Sequence, residues 1–330
     1  MANLNLEKAK QKWFGFERRF LQMTTVLAVE ELSKCYGQKK AVDNISFKVH
    51  RGEVLGLLGP NGAGKTTAIR MIMGILPVDR GKVVFSFNGS LSPIEKSMVG
   101  YLPEERGLYD DARVIDNLVY LSGLKNKSPH EARREGEAWL KRVGLADYKN
   151  QRLDKLSKGM QQKVQFIASI LHKPQLVLLD EPFSGLDPVN QDFFKEIIRE
   201  LQAAGVTVLL SAHQMNLVEE LCDSIFLINH GREVLSGKLQ DIKRSYKESS
   251  VELHFDPSGD SSFIKEIPGM RILKLEPGQA ILRYSGASIN ELLQQIGSRL
   301  TIAEITVRKP PLHEIFIETV KERGETHESA

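Results

Sequence analysis

One glycine-rich stretch of the sequence has the residue types and spacing of a loop that binds phosphate groups. Glycine permits turns in which successive backbone N–H groups point at phosphate oxygens. The stretch matches G-x-x-x-x-G-K-[ST] and consists of Gly59, Pro60, Asn61, Gly62, Ala63, Gly64, Lys65, Thr66 and Thr67. Lys65 is expected to reach the outer phosphates of a nucleoside triphosphate, and the Thr66 hydroxyl is expected to bind Mg²⁺. An apolar run at residues 53–58 precedes the loop and a helical pattern follows it, so the sequence predicts a nucleotide-binding strand–loop–helix unit.

Two adjacent acids, Asp180 and Glu181, follow the wholly apolar run of residues 176–179. Such a run is typical of a strand in a parallel sheet covered on both faces, and ligands bind at the carboxyl ends of these strands. Asp180 is therefore expected to hold Mg²⁺, and Glu181 to act as general base toward the attacking water. His213 follows a second apolar run, residues 206–211, and would lie near the phosphates if the sheet is parallel. The alternative for Asp180 and Glu181 is an ordinary pair of surface acids, and the alternative for His213 is a structural role.

Two further features could contact a nucleotide, although each has an ordinary structural explanation. Ser157 is a plausible helix N-cap, and with Gly159 it would form a second helix N-terminus suited to phosphate. Taken alone, an ordinary capped helix explains this stretch better. Tyr36 lies in a polar turn ahead of the glycine-rich loop, where its ring could stack on a nucleobase. A core tyrosine is equally compatible with that spacing.

Taken together and in this order, the motifs resemble the ATP-binding subunit of an ABC transporter over about residues 26–240. The family signature corresponds to residues 156–160, the second acidic motif to residues 176–181, and the D-loop to residues 184–187. His213 takes the place of the family's switch histidine. The tail after about residue 250 looks like that of single-cassette ATPases of sodium- or drug-export systems.

The resemblance implies that ATP and Mg²⁺ bind and that hydrolysis is coupled to transport. It also implies a head-to-tail homodimer with two ATP molecules between the chains, so that each phosphate loop faces the other chain's signature. Tyr36 would then stack on adenine, and His213 would contact the γ-phosphate. The signature and D-loop residues that would contact the partner's ATP are Ser157, Lys158, Gly159 and Asp187.

A separate transmembrane permease subunit is the second implied partner, and the helical insertion would dock on it. The chain itself would then be cytoplasmic and peripheral on the cytoplasmic face of the membrane. An exporter is the expected type of transporter.

The sequence departs from the family pattern at two places. Lys158 and Met160 replace the third and fifth residues of the usual signature, whereas Ser157 and Gly159 are kept. Glu104 stands where the family usually has a glutamine that contacts Mg²⁺. A carboxylate has nearly the shape of a carboxamide and also offers an oxygen to the metal, so we expect Glu104 to be a metal ligand.

Composition restricts the other classes of function. The 330 residues include 45 Lys and Arg against 42 Asp and Glu, and a net charge of +3 does not indicate a nucleic-acid partner. No apolar run approaches the ~20 residues needed to cross a bilayer. The rival interpretations are a soluble ABC ATPase that acts on ribosomes or DNA, and a regulator that binds ATP without hydrolysing it. ATPases of the translation type usually carry two cassettes and those of DNA repair carry long coiled coils; the sequence has neither.

The predicted fold class is α/β: a P-loop NTPase (ABC ATPase) core with an antiparallel β subdomain and a helical insertion. A small α+β ferredoxin-like module follows, since its elements are expected in the order β-α-β-β-α-β. The expected divisions are an N-terminal extension at 1–23, the ATP-binding domain at 24–240 with its helical subdomain at about 105–172, a linker at 241–250, and an accessory domain at 251–330. Residues 1–22 could form an amphipathic surface helix, but Met23 could itself start the first domain, so a non-essential extension is the favoured interpretation.

Overall fold

The computed structural model describes residues 25–87, 92–105, 107–246, 248–286 and 288–322. The extension predicted at residues 1–23 lies outside these ranges. The chain divides into two compact units, with the boundary between Ser236 and Gly237. None of the helices in the described ranges is both long enough and apolar enough to cross a membrane.

The first unit contains nine strands and six helices among the residues described, and the last of these strands continues past the boundary to Lys238. In chain order they are β1 (Thr25–Tyr36), β2 (Lys39–His50), β3 (Val54–Leu58), α1 (Lys65–Ile72), β4 (Arg80–Phe85), β5 (Val99–Leu102), α2 (Val114–Gly123), α3 (Pro129–Arg142), α4 (Lys158–Ile170), β6 (Leu176–Leu179), α5 (Pro188–Ala203), β7 (Thr207–Ala212), α6 (Met215–Leu221), β8 (Ser224–Asn229) and β9 (Arg232–Lys238). Short 3₁₀ helices occur at Lys96–Met98, Ala146–Tyr148 and Leu153–Lys155.

A six-stranded sheet forms the centre of this unit, in the order β5-β6-β7-β3-β8-β9. The pairs β5–β6, β6–β7, β7–β3 and β3–β8 are parallel. Every residue of β3, β6, β7 and β8 is buried, which explains their nearly continuous apolar sequences. The carboxyl ends of β3, β6 and β7 meet at one edge of the sheet, and the predicted catalytic residues follow these three ends.

A second sheet of this unit is antiparallel and has the order β2-β1-β4. The pairing of β1 with β2 continues from Thr25↔His50 to Tyr36↔Lys39. The sequence had suggested that Tyr36 lies in a turn. This prediction is wrong, because Tyr36 is the last residue of β1. The turn consists of Gly37 and Gln38 only; the polar residues before it stay in the strand because their backbone groups pair with β2.

The helical insertion has a core of its own, formed by residues of α2, α3 and α4 and of the segments between them. Val114, Leu118, Leu140, Val164 and Ile167 are each fully buried there. The three helices lie within the range predicted for the helical subdomain.

The second unit is a four-stranded antiparallel sheet with helices. Its elements are α7 (Leu239–Ser245), β10 (Ser249–Phe255), β11 (Met270–Glu276), β12 (Gln279–Tyr284), α8 (Ile289–Gly297), β13 (Ile302–Arg308) and α9 (Leu312–Glu322), with a 3₁₀ helix at Ser262–Glu266. The strand order β11-β12-β10-β13 is that of a ferredoxin-like module. The first predicted helix is only the 3₁₀ helix, and the segment predicted as a linker contains the end of α7 and the start of β10.

Candidate functional site: a nucleotide cleft at the sheet edge

The glycine-rich loop joins β3 to α1, and two of its glycines leave no room for a side chain. A Cβ on Gly59 would lie 2.2 Å from the carbonyl oxygen of Ile228, and one on Gly64 would lie 2.3 Å from that of Ala41. Gly64 also has φ = 111°, which side chains disfavour. The tight path of the loop brings its backbone to the start of α1, where the helix dipole favours an anion.

Lys65 is buried and points back over the loop. Its Nζ donates to the carbonyl oxygens of Gly59 and Pro60, at 2.7 and 3.2 Å. The same Nζ lies 3.2 Å from Oε1 of Glu181, which is also buried. The ammonium group is therefore held at the mouth of the loop, next to the predicted general base.

Asp180 is 0% exposed and receives two hydrogen bonds on Oδ1. The donors are the hydroxyls of Thr66, at 3.2 Å, and Ser211, at 2.7 Å. The Thr66 hydroxyl also lies 3.5 Å from Oε2 of Glu104. Burial raises the pKa of Asp180, the two hydroxyl bonds oppose that rise, and the charges of Glu104 and Glu181 add to it.

Glu181 is fixed by neighbours on β7 and just beyond it. Its backbone N–H donates to Ser211 Oγ at 2.8 Å, and its Oε2 lies 2.9 Å from Nδ1 of His213. Its φ of 49° is uncommon for a residue other than glycine, and such conformations cluster at functional sites. The structure therefore brings together Lys65, Glu181 and His213.

An open cleft of about 470 Å³ is lined by the end of β1, the glycine-rich loop and Glu181. Tyr36 lines one end and is half exposed. The remaining lining residues are Lys39, Ala41, Asn61, Gly62, Gly64, Lys65, Thr66, Thr67, Arg70, Glu104, Glu105 and Glu181. A cleft lined by both an aromatic ring and a phosphate-binding loop has the groups that a nucleotide requires.

The predicted signature and D-loop residues lie outside the lining of that cleft. Ser157 caps α4 by accepting from the backbone N–H of Met160 at 3.3 Å, and Asp187 caps α5 by accepting from that of Asn190 at 3.0 Å. The hydrogen bonds from Asn190 lower the pKa of Asp187. Space is open beside Gly159: a Cβ there would meet only Asn190 Nδ2, at 4.0 Å.

Lys158 lies at the start of α4, beside the acidic residues of the same chain. It lines a smaller cleft of about 180 Å³ together with Glu104, Asp180 and Glu181. Lys158, one of the two residues that depart from the family signature, therefore shares a cleft with Glu104, which stands where the family usually has a glutamine.

Sequence reasoning missed several residues that hold the site together. Ser211 contacts both acids. The sequence feature that could have revealed it is a polar residue at the end of an apolar run, and this run forms the strand beside β6. Gln165 donates to the carbonyl oxygens of Pro103 and Glu105, at 3.3 and 3.1 Å, on either side of Glu104. No sequence spacing links Gln165 to that loop, since the two are about 60 positions apart.

The oxygen atoms near Thr66 fit a Mg²⁺ ion that phosphate oxygens would complete. Thr66, Asp180 and Glu104 offer a hydroxyl and two carboxylates, and Oδ2 of Asp180 has no hydrogen-bond partner among the described residues. No group of three or more His, Cys, Asp or Glu side chains in the described ranges is arranged to hold a metal. Nucleotide-dependent Mg²⁺ sites use one or two carboxylates plus phosphates, which agrees with this set.

Comparison with known proteins identifies the family. The model of the family described as ABC transporter matches residues 42–184, and that of the ATP-binding protein DrrA1-3-like, C-terminal domain, matches residues 237–320. The chain is 41% identical to the ABC transporter ATP-binding protein YhaQ of Bacillus subtilis, over 89% of this chain and 98% of YhaQ. The chain belongs to the ABC transporter ATP-binding proteins. It is the ATP-binding and ATP-hydrolysing subunit of such a transporter.

Two further matches agree with this assignment. The linearmycin resistance ATP-binding protein LnrL of Bacillus subtilis is 35% identical, over 66% of this chain and 70% of LnrL. A solved ATP-binding subunit of an ABC transporter superposes with a TM-score of 0.61 and 32% identity, covering 67% of this chain and 93% of that one. The predicted family and fold class are confirmed, and the rival functions are not favoured.

Proposed function

We propose that two copies of this chain hydrolyse ATP in shared sites and thereby power a separate membrane permease. One observation carries the proposal: Lys65 and Glu181 line the cleft, with His213 in contact with Glu181, whereas Ser157 and Asp187 lie outside the lining and have no contact with these residues among the interactions described. A second copy in head-to-tail orientation would bring the missing signature to each cleft.

Lys65 binds the outer phosphates, since its ammonium is already at the mouth of the loop. Thr66, Asp180 and Glu104 hold Mg²⁺ through oxygen atoms. A bound Mg²⁺ ion neutralises charge on the phosphate oxygens. The remaining residues of the loop, Gly59 to Thr67, surround the phosphates with backbone N–H groups.

Glu181 accepts a proton from the attacking water as general base. His213 holds Oε2 of Glu181 through its 2.9 Å contact, and we propose that it also contacts the γ-phosphate of bound ATP. When phosphate attracts Lys65, the 3.2 Å contact between Lys65 and Glu181 loosens, which frees Oε1 for water. Nucleotide binding and activation of the base are thereby coupled through one ammonium group.

Tyr36 stacks on the adenine ring. Its half-exposed ring in the lining of the cleft supports this role, because a base can stack on an aromatic face without a specific hydrogen-bond pattern. The N-termini of α4 and α5 contact the ATP held by the partner copy. The residues that make this contact are Ser157, Lys158, Gly159 and Asp187.

The permease docks on the helical insertion, and the chain works at the cytoplasmic face of the membrane. Export is the proposed direction, supported by the name of LnrL, a resistance protein, and by the DrrA-like second unit. The domain limits predicted from the sequence stay part of this proposal.

A variant that binds ATP but cannot activate water tests the shared site. Glu181→Gln keeps the size of the side chain and removes the base, so ATP should stay bound and two chains should remain associated. Size-exclusion chromatography with saturating ATP and Mg²⁺ should show a dimer, and Glu196→Gln, an exposed change on α5, should behave as wild type. A Glu181→Gln chain that stays monomeric under these conditions would contradict the proposal.

A further inference from the structure

Two carboxylates from different parts of the sequence meet at one hydroxyl beside the phosphate-binding loop. Thr66 Oγ1 lies 3.2 Å from Asp180 Oδ1 and 3.5 Å from Glu104 Oε2. Asp180 follows β6, and Glu104 lies in the loop after β5. A hydroxyl and two carboxylates are the type of oxygen donors that Mg²⁺ and Mn²⁺ prefer.

Asp180 gives an independent indication that a cation belongs here. Its side chain is completely buried, and it lines the same small cleft as Glu104. Oδ1 takes both hydroxyl hydrogen bonds, whereas buried Oδ2 has no hydrogen-bond partner among the described residues. A buried carboxylate oxygen without a partner is unfavourable unless a proton or a cation compensates it.

Among the described residues, the cationic side chains that line the two clefts around these carboxylates are Lys39, Lys65, Arg70 and Lys158, and none of them forms an ion pair with Glu104 or Asp180. Lys65 contacts Glu181 and two backbone carbonyls, and Arg70 lies 3.3 Å from Glu105. Neither Glu104 nor Asp180 forms an ion pair with any residue inside the described ranges. A mobile cation is therefore needed to balance the negative charges of the Glu104 and Asp180 carboxylates beside Thr66.

We propose that Glu104, Asp180 and Thr66 bind one Mg²⁺ or Mn²⁺ ion before ATP arrives. The inference rests on the proposed function of the cleft and deepens it, because it makes the metal independent of the nucleotide. Glutamine at position 104 would offer a neutral oxygen, whereas Glu104 adds a full negative charge to that of Asp180. The metal would then attract the phosphates of ATP into the loop.

Electron paramagnetic resonance of Mn²⁺ tests this proposal on the full-length chain without nucleotide. The wild type should bind one Mn²⁺ per chain. Glu104→Gln should weaken this binding by about tenfold or more, because one unit charge beside a divalent ion is lost. Glu95→Gln removes an exposed charge elsewhere on the same unit and should leave the affinity unchanged. Glu104 is exposed, so the variant is not expected to disturb folding.

ATP binding in EDTA, measured on the same samples with a fluorescent ATP analogue, separates the two proposals. A wild-type chain that binds the analogue but no Mn²⁺ overturns this inference and leaves the proposed function intact. Equal Mn²⁺ affinities for the wild type and Glu104→Gln also overturn it. A wild-type chain that binds no analogue, with or without Mg²⁺, overturns the proposed function itself.

Discussion

The buried hydroxyl of Ser211 donates a 2.7 Å hydrogen bond to Oδ1 of Asp180, on the neighbouring strand end. It also accepts the backbone N–H of Glu181 at 2.8 Å. One side chain of β7 thus orients both acids that follow β6. Ser211 is a positioning residue, since it contacts the acids rather than the reacting atoms.

Ser211→Ala should lower kcat for ATP hydrolysis more than it raises KM for ATP. The change leaves a buried carboxylate oxygen and a buried N–H short of a partner, which should cost about 1–3 kcal/mol of folding stability. Steady-state kinetics over a range of Mg²⁺ concentrations and chemical denaturation measure the two effects. Ser169→Ala is the control, because that buried hydroxyl only donates to the Phe166 carbonyl within α4. Equal loss of kcat in both variants would show that Ser211 acts through stability alone.

A mixture of Lys65→Ala and Ser157→Arg chains should recover ATPase activity that each lacks alone. In a mixed dimer, one site combines the intact loop of one chain with the intact signature of the other. Random pairing makes half of the dimers mixed, so recovery of up to about a quarter of wild-type activity is expected. The measurement is phosphate release after mixing, with subunit exchange checked by fluorescence energy transfer. As a control, a Lys65→Ala/Ser157→Arg double variant mixed with Lys65→Ala should give no recovery, because neither chain has an intact loop. If the mixture of the two single variants exchanges subunits but recovers no activity, the shared site is contradicted.

His172 should make the first unit sensitive to acid. Its Nε2 lies 3.2 Å from the Val99 carbonyl oxygen, and burial with the nearby charge of Lys125 lowers its pKa from 6.5 to about 4. Between these values the unfolded chain binds a proton that the folded chain excludes, so stability falls as pH drops from about 6.5 toward 4.

His172→Asn should reduce that loss by about 1–2 kcal/mol, since the ring is only partly buried. Urea denaturation at a series of pH values measures it. His130→Asn, at an exposed position of α3, should keep the wild-type slope. A pH profile that His172→Asn leaves unchanged would rule out this group as the source.

The first unit should bind ATP without the second. Residues of both of its sheets form one hydrophobic core within this unit, and all the residues that line the cleft belong to the unit. A chain that ends at Ser236 should therefore bind a fluorescent ATP analogue with an affinity within about threefold of that of the full chain, a shift well below 1.4 kcal/mol. Circular dichroism confirms that the shortened chain is folded. A folded chain without ATP affinity would place part of the site in the second unit.

The parts of the site that the sequence predicted are those set by neighbours along the chain. The loop from Gly59 to Thr67 and the acids after β6 each follow an apolar strand, so their placement at one sheet edge needs no distant contact. Asp180 and Glu181 could be found in this way without knowledge of their partners.

Contacts between distant segments could not be predicted in the same way. Ser211 reaches the acids only because β7 lies beside β6, and Gln165 reaches the loop of Glu104 across the helical insertion. Tyr36 was placed in a turn because its neighbours are polar, yet interstrand hydrogen bonds extend β1 through them. In the second unit, the first helix of the expected β-α-β-β-α-β order is only the 3₁₀ helix Ser262–Glu266, since five residues give few i→i−4 bonds.

The cleft begins on one sheet and ends on another. Tyr36 closes a strand of the antiparallel sheet, whereas the phosphate loop leaves the parallel sheet. A ligand as long as ATP would contact both. The bound nucleotide would thereby act as a crosslink between the two layers.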